Sequence, residues 1–273
     1  MRVLWIFLLS LCAAGSAYAA SDESTTLNRR LPQGVQVPST ASLALSPAVI
    51  MVKAQPDASS THELTITNLT GTRFRFLLEA FDVVVRDGKR SFIPAGETEG
   101  GIARSAVFDP PAIDVNPNET GHVKVTLTVP AKPTVRAVAA IFHGQTLLGG
   151  KRTLLFTGSL GTLITYNLSG KADVHLEAPI VHPQTSNSNL AVLETMENHG
   201  SEPAAPKGTL AILGGAGQLI GRVAIEPHRL LPGEKFECQV EYPSSLRPGK
   251  YRAMMSFEHE GGVQTSSVEF QVE

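Results

Sequence analysis

A two-residue hydrophobic period, broken at short intervals by proline, glycine or asparagine, constrains this chain more than any other feature. In HELTITN, Leu64 and Ile66 fall on one side and Glu63, Thr65 and Thr67 on the other. HVKVTLTV repeats the pattern, with Val123, Val125, Leu127 and Val129 on the apolar side. Alternate side chains of a strand point to opposite faces, whereas an amphipathic helix repeats its apolar positions every three to four residues. These runs are therefore half-buried strands. RFRFLLEAFDVVVRD alternates less cleanly, but its phenylalanine and valine content also favours a long strand.

Strand signals of this kind recur in two cycles. The first holds SLALSP, VIMVKA, HELTITN, RFRFLLEAFDVVVRD, RSFIP, AIDV, HVKVTLTVP, VRAVAAIF and TLLFTGSLGTLITYNLSG. The second holds seven candidates: DVHLEAPIV, NLAVLETMENHG, KGTLAILGG, LIGRVAIEP, FECQVEYP, GKYRAMMSFEHEGG and TSSVEFQVE. Each cycle has an alternating strand that ends in asparagine (TITN at 65–68, VLETMEN at 192–198). Each later has a Pro-x-Glu turn that feeds another alternating strand (PNETGHVKV at 117–125, PGEKFECQV at 232–240). Proline presets φ, and glycine or asparagine accepts positive φ, so both turns can reverse the chain tightly. The expected fold is all-β: two tandem immunoglobulin-like antiparallel β-sandwiches, over 42–170 and 171–273.

Residues 1–19 read as a secretory signal peptide. Arg2 supplies the positive start, Val3 to Leu11 an apolar core, and Ala17-Tyr18-Ala19 the cleavage signal. Residues 20–41 are polar and proline-containing and form a flexible lead-in. The apolar core of the signal is too short to span a bilayer, and no later stretch is long enough, so no membrane span is expected after cleavage. The chain carries 23 basic and 25 acidic residues. Losing Arg2 leaves 22 against 25, a net charge of about −3, which argues against nucleic acid as a partner. An exported protein of the periplasm or cell surface is expected. Only Cys238 survives cleavage; in FECQVEY, Phe236, Cys238 and Val240 alternate with Glu237, Gln239 and Glu241, which puts Cys238 on the buried face of a strand.

Catalytic patterns are weak. Gly215, Gly217 and Gly221 sit between two strand patterns and suit a hairpin rather than a phosphate loop, which should open a helix. GSLG at 158–161 lacks the nucleophile-elbow form, and its glycines suggest a bulge or a close backbone approach. The eight histidines form no metal-binding spacing. No enzyme activity, cofactor or metal is expected. Asn68, Asn118 and Asn167 open glycosylation sequons by rule. One segment carries apolar residues on both faces. In 153–166, Leu154, Phe156, Leu160, Ile164 and Tyr166 lie on one face, and Leu155 and Leu163 on the other. A fully buried central strand explains this, and so does an edge strand that accepts a strand from a partner.

The order of LALSPAVIMVKAQPDASSTHELTITNLTG, RFRFLLEAFDVVV, GKRSFIPAGE, VFDPPAIDVNPNETGHVKVTLTVP, VRAVAAIF and GSLGTLITYNLSG resembles a bacterial secreted family. It is the peptidoglycan-binding-type domain of WxL-interacting cell-surface proteins, matched over about 42–170. The following domain, with LLPGEKF and LRPGKYRA, looks like the module that commonly follows it. More distantly, the chain is similar to the PapD-type periplasmic pilus chaperones, two-domain proteins with a Pro-Pro segment before an alternating strand. The first resemblance implies a non-enzymatic binding module of the cell envelope, engaging a protein partner or peptidoglycan through a sheet edge or loops. The second implies an assembly chaperone that acts by strand complementation, with Leu154, Phe156, Leu160, Ile164 and Tyr166 meeting the partner. It also implies a basic pair that anchors a carboxylate. Lys151 or Arg152 could supply one member, whereas Pro47 and Ala48 stand where the other belongs.

Overall fold

The computed structural model describes residues 42–146, 157–183 and 189–273. The signal peptide, the whole lead-in, and the expectations placed on Lys151, Arg152, Leu154 and Phe156 lie outside the described residues. What is described is nearly all strand, eighteen of them, with a single 3-10 turn at Ala103–Ser105.

β3 and β8 follow the alternation read from the sequence, whereas β9, central in its sheet, is buried on both faces. One sheet runs β1 (Leu43–Ser46), β3 (Ser59–Asn68), β8 (Thr120–Thr128), β6 (Val107–Asp109). The facing sheet runs β2 (Val49–Lys53), β10 (Thr157–Asn167), β9 (Ala137–Thr146), β4 (Phe74–Arg86), β5 (Lys89–Pro94), and β7 (Ala112–Val115) also pairs with β4. Leu64, Ile66, Val123, Val125, Leu127 and Val129 are all buried between the sheets, as their period demands. Phe74, Phe76 and Phe142 fill the centre; the first two stack at 5.8 Å, and Phe76 meets Phe142 edge-on at 6.2 Å.

Two prolines carry the chain from one sheet to the other. β1 belongs to the first sheet and β2 to the second, with the cis Ser46–Pro47 bond between them. β6 and β7 repeat the crossing around the cis Asp109–Pro110 bond. Proline brings no N–H, so it fits where a strand leaves one ladder before joining another.

The second set of strands packs β11 (Val174–Leu176), β12 (Ile180–His182), β13 (Leu190–Asn198) and β16 (Lys235–Tyr242) in one sheet. β15 (Leu219–Ile225), β14 (Lys207–Gly214), β17 (Gly249–His259) and β18 (Gly262–Val272) form the other. Leu190, Val192, Met196, Leu210, Ile212, Met255 and Phe257 make its core. The candidate DVHLEAPIV is in fact two short strands, β11 and β12, both on the same side of β13, because Pro179 interrupts the ladder. The glycines after β14 form the expected bulged hairpin, with Gly217 at φ 83°. Gly161 sits in an unbroken register; a Cβ there would stand 2.6 Å from the Ile141 Cδ1, so close approach rather than a bulge explains it.

The shared grammar of the two cycles is a shared corner. Asn68 and Asn198 are fully buried at the ends of β3 and β13. The Asn68 amide donates to the carbonyls of Thr72 and Val115, and its oxygen accepts from Thr70. The Asn198 amide donates to the carbonyls of Glu202 and Leu230, and its oxygen accepts from Gly200 and Asp173. Their backbones grip equivalent turns: Asn118 N–H donates to the Asn68 carbonyl at 2.7 Å, and Gly233 N–H to the Asn198 carbonyl at 2.7 Å. Both turns place proline before a residue of positive φ, Asn118 at 62° and Gly233 at 74°, the type II pattern. Glu119 and Glu234 close them by accepting the N–H three residues back. The sequon at Asn68 is thereby removed as an acceptor, since its side chain is buried and fully engaged.

Two outcomes follow from these buried polar groups. Asn198→Ala leaves several buried backbone groups unpaired and should cost about 2–4 kcal/mol in urea unfolding, as should Asn68→Ala. A loss below about 0.5 kcal/mol would show that the corners are dispensable. Glu194 lies fully buried on β13, opposite Cys238, with a hydrogen bond from Ser266 and one oxygen unpaired. Burial raises its carboxyl to about 7, with the Ser266 bond opposing the shift, and raises the Cys238 thiol to about 11, leaving it inert. Folding thus favours protonated Glu194: this contribution is complete below about pH 4.5 and lost as pH rises through about 7. Glu194→Gln should leave stability little changed near pH 4.5 and raise it by about 1–3 kcal/mol at pH 8, measured by denaturant titration across that range.

Candidate functional site

The strand singled out in the sequence, β10, is neither wholly buried nor wholly an edge. It pairs antiparallel with β9 along Thr157–Thr165. On its other side β2 runs parallel to it, over Leu163–Asn167 alone. Leu163 N–H reaches the Ala48 carbonyl at 3.0 Å, and the Thr162 hydroxyl donates to the Pro47 carbonyl at 2.7 Å; there the cover ends. Over 157–161 no described strand lies on that side. Backbone groups alternate in direction along a strand. Tyr166 N–H points to β9, donating to the Arg136 carbonyl, and Leu163 N–H points to β2. By the same alternation, the N–H and C=O groups of Ser159 and Gly161 face the uncovered side.

The side chains divide as the sequence pattern proposed, with a different outcome for the partner-binding set. Ile164 and Tyr166 are fully buried in the first core, and the Tyr166 hydroxyl meets Ser60 Oγ at 3.0 Å. Leu160 is half-buried and packs on the same core. These three side chains fill the fold and do not face a partner, because they lie on the face turned toward the opposite sheet. What β10 offers on this side is its backbone.

The outer face of the same sheet is apolar. Val83, Ala137, Ala139 and Ile141 are buried there, with Phe81, Val85, Phe92 and Leu163 packed beside them. Leu231, from the turn before β16, sits on this face at 2% exposure. Farther along, Val49, Met51 and Leu77 remain 44%, 52% and 41% exposed. Next to the open edge lies a polar patch that sequence reasoning missed. Ser159 Oγ is 2.9 Å from His143 Nδ1, and His143 Nε2 is 3.2 Å from Glu79 Oε2, across β10, β9 and β4. The three residues are spread over 80 positions or so and share no motif; only their strand registers bring them together.

The second sandwich is held against this sheet by buried charge as well as by Leu231. Arg90 Nε pairs with Glu234 Oε1 at 2.7 Å, with the carboxylate side chain 8% exposed. Glu202 accepts the backbone N–H groups of Leu168 and Gly170, both at 3.0 Å, and lies 3.5 Å from Arg136 Nε. Lys235 N–H donates to the Gly88 carbonyl at 2.9 Å. Pro47 and Ala48, where the chaperone resemblance calls for a basic residue, form the end of the β2 cover beside the open edge.

No family model matches the chain, and no curated protein matches it. Among solved structures, it is similar to the class 5 fimbriae chaperone CfaA, at 11% identity and a TM-score of 0.41, covering 85% of this chain and 99% of that one. It is also similar to a chain of the CsuC–CsuE chaperone–tip adhesion subunit pre-assembly complex of Acinetobacter baumannii, at 10% identity and a TM-score of 0.42, covering 84% and 98%. The E. coli chaperone DraB is similar at 16% identity and a TM-score of 0.36, covering 85% and 98%. At these scores the likeness carries no functional argument, and the site rests on its own geometry. Among the described residues, no helix is long and apolar enough to cross a membrane.

The joint between the sandwiches gives a direct test of its ion pair. Glu234→Gln removes the partner of a largely buried guanidinium and should cost about 3 kcal/mol in chemical unfolding. A change within about 0.5 kcal/mol would mean that the pair does not secure the joint.

Proposed function

We propose that the chain is a non-enzymatic, exported protein of the cell envelope that holds a protein partner by taking one of its strands onto the open edge of β10, in the manner of an assembly chaperone. The observation that carries this reading is the half-covered strand: β2 covers β10 only from Leu163 onward, and the backbone groups of Ser159 and Gly161 face the vacant side. An added strand supplies backbone hydrogen bonds that a solvated edge lacks, and alternate side chains of that strand meet the sheet face. Beside residues 157–161 that face carries Ser159, His143 and Glu79, and it turns apolar only at Leu163, Val49 and Met51, where β2 begins. The partner strand is therefore expected to place polar side chains beside this patch and apolar ones toward Leu163.

A protein partner is preferred over a cell-wall polymer because an uncovered strand edge matches a peptide backbone, and a polysaccharide cannot continue a β-ladder.

Ser159→Pro removes one outward N–H and leaves the bonding toward β9 in place, a substitution that an edge tolerates. The full chain and this variant would be compared for capture of proteins from envelope extract and for binding to purified peptidoglycan, with circular dichroism to establish that both fold. The expected result is a specific protein retained by the unsubstituted chain and lost with Ser159→Pro. Equal capture by both would overturn strand addition, and peptidoglycan binding indifferent to the substitution would favour the wall polymer.

A further inference from the structure

Arg229 lies 8% exposed in the segment between β15 and β16, and its Nε and Nη1 atoms are buried with no acceptor. The neighbouring carboxylate, Glu234, is already engaged: it pairs with Arg90 and accepts the Leu231 N–H at 2.8 Å. Arg90 in turn donates from Nη2 to the Arg229 carbonyl, so the two arginines meet at the junction of the sandwiches. The carboxylate that acts on Arg229 through space is Glu260, exposed in the turn between β17 and β18, and the two form no ion pair. His228 stacks on Phe236 with ring centroids 3.6 Å apart, and its Nε2 is likewise buried and unpartnered. Burial, followed by the charges of Arg90 and Arg229, lowers the His228 imidazole to about 4, so it is uncharged at neutral pH.

Two guanidinium groups thus share one carboxylate in direct contact, Glu234, while Glu260 acts only from a distance, and three buried nitrogen atoms of Arg229 and His228 lack partners. A buried cation with bare N–H groups is costly, and natural structures usually supply an acceptor. A guanidinium donates through a planar fork that matches carboxylate and phosphate oxygens.

We propose that Arg229, supported by Arg90 and His228, forms a binding site for a small oxyanion, a carboxylate or a phosphate, at the junction of the two sandwiches. The site is independent of strand capture at β10, which uses other residues on another element. A bound oxyanion accepts from Nε and Nη1 of Arg229 and offsets the positive charge that Arg229 and Arg90 bring to the junction.

The test is isothermal titration of the full chain with citrate and, separately, inorganic phosphate, at constant ionic strength held with chloride. Saturable binding near one equivalent is expected with at least one of them, and the preferred one identifies the class of anion. Arg229→Gln should weaken it about tenfold or more, the loss of a charged hydrogen bond. Glu260→Gln, at an exposed position that leaves the fold intact, should strengthen it about twofold by removing the competing charge. The proposal is overturned if neither anion gives saturable binding, which would assign the vacant donors to water. It is equally overturned if folded Arg229→Gln binds as well as the unsubstituted chain, or if Glu260→Gln binds no tighter.

Discussion

The arrangement depends on a buried asparagine side chain at the end of one strand in each sandwich. A carboxamide has two donors and an acceptor with two lone pairs, and a buried one must place them. Asn68 and Asn198 do so by tying together the loop that follows them, a distant loop, and a proline turn. The two corners differ in what the closing glutamate does. Glu119 is exposed and bonds to Asn116. Glu234 is buried and pairs with Arg90 of the first sandwich. The same local device thus completes a turn in one sandwich and joins the two sandwiches in the other, with Leu231 of that turn seated on the outer face of the first sandwich.

Holding the second sandwich there leaves the rest of the outer face uncovered. Val49 and Met51 on β2 and, at another level of the sheet, Leu77 on β4 are exposed, and the edge of β10 before Leu163 has no neighbour among the described strands. The length of β2 sets the extent of this opening. The proline crossing at Ser46–Pro47 fixes where β2 begins, and therefore where the cover of β10 starts. A sheet edge with its backbone groups free is a liability that natural proteins normally blunt. Here the open edge lies beside the Glu79–His143–Ser159 patch, with the apolar surface of Leu163, Val49 and Met51 at its covered end.

Much of the fold was legible in the sequence because the strands are half-buried. Leu64, Ile66 and the Val123–Val129 series alternate cleanly, and burial follows the alternation residue by residue. The repeated Asn-ending strands and Pro-x-Glu turns mark equivalent segments of the two sandwiches, but the burial of the Asn68 and Asn198 side chains that joins them does not show in the pattern. The division of β10 between Leu160, Ile164 and Tyr166 on one face and Leu163 on the other was also readable. Whether β10 was an edge was not, because a strand's neighbours are set by other segments; five residues of β2 decide it, and the answer changes partway along the strand. Apolar side chains on both faces came from core on one side and the second sandwich's contact on the other, so Ile164 and Tyr166 read as partner contacts when they are core. The pairs Arg90–Glu234 and Arg136–Glu202, and the Glu79–His143–Ser159 patch, join residues far apart in the chain, and no local period records such pairings.

Amide hydrogen exchange along β10 tests the open edge most directly. If residues 157–161 are covered on one side only, Ser159 and Gly161 should exchange much faster than Leu160 and Thr162, whose N–H groups face β9. They should become protected when a partner strand is bound. Equal, slow exchange at all four positions in the free protein would contradict the account, because the edge would then already be occupied.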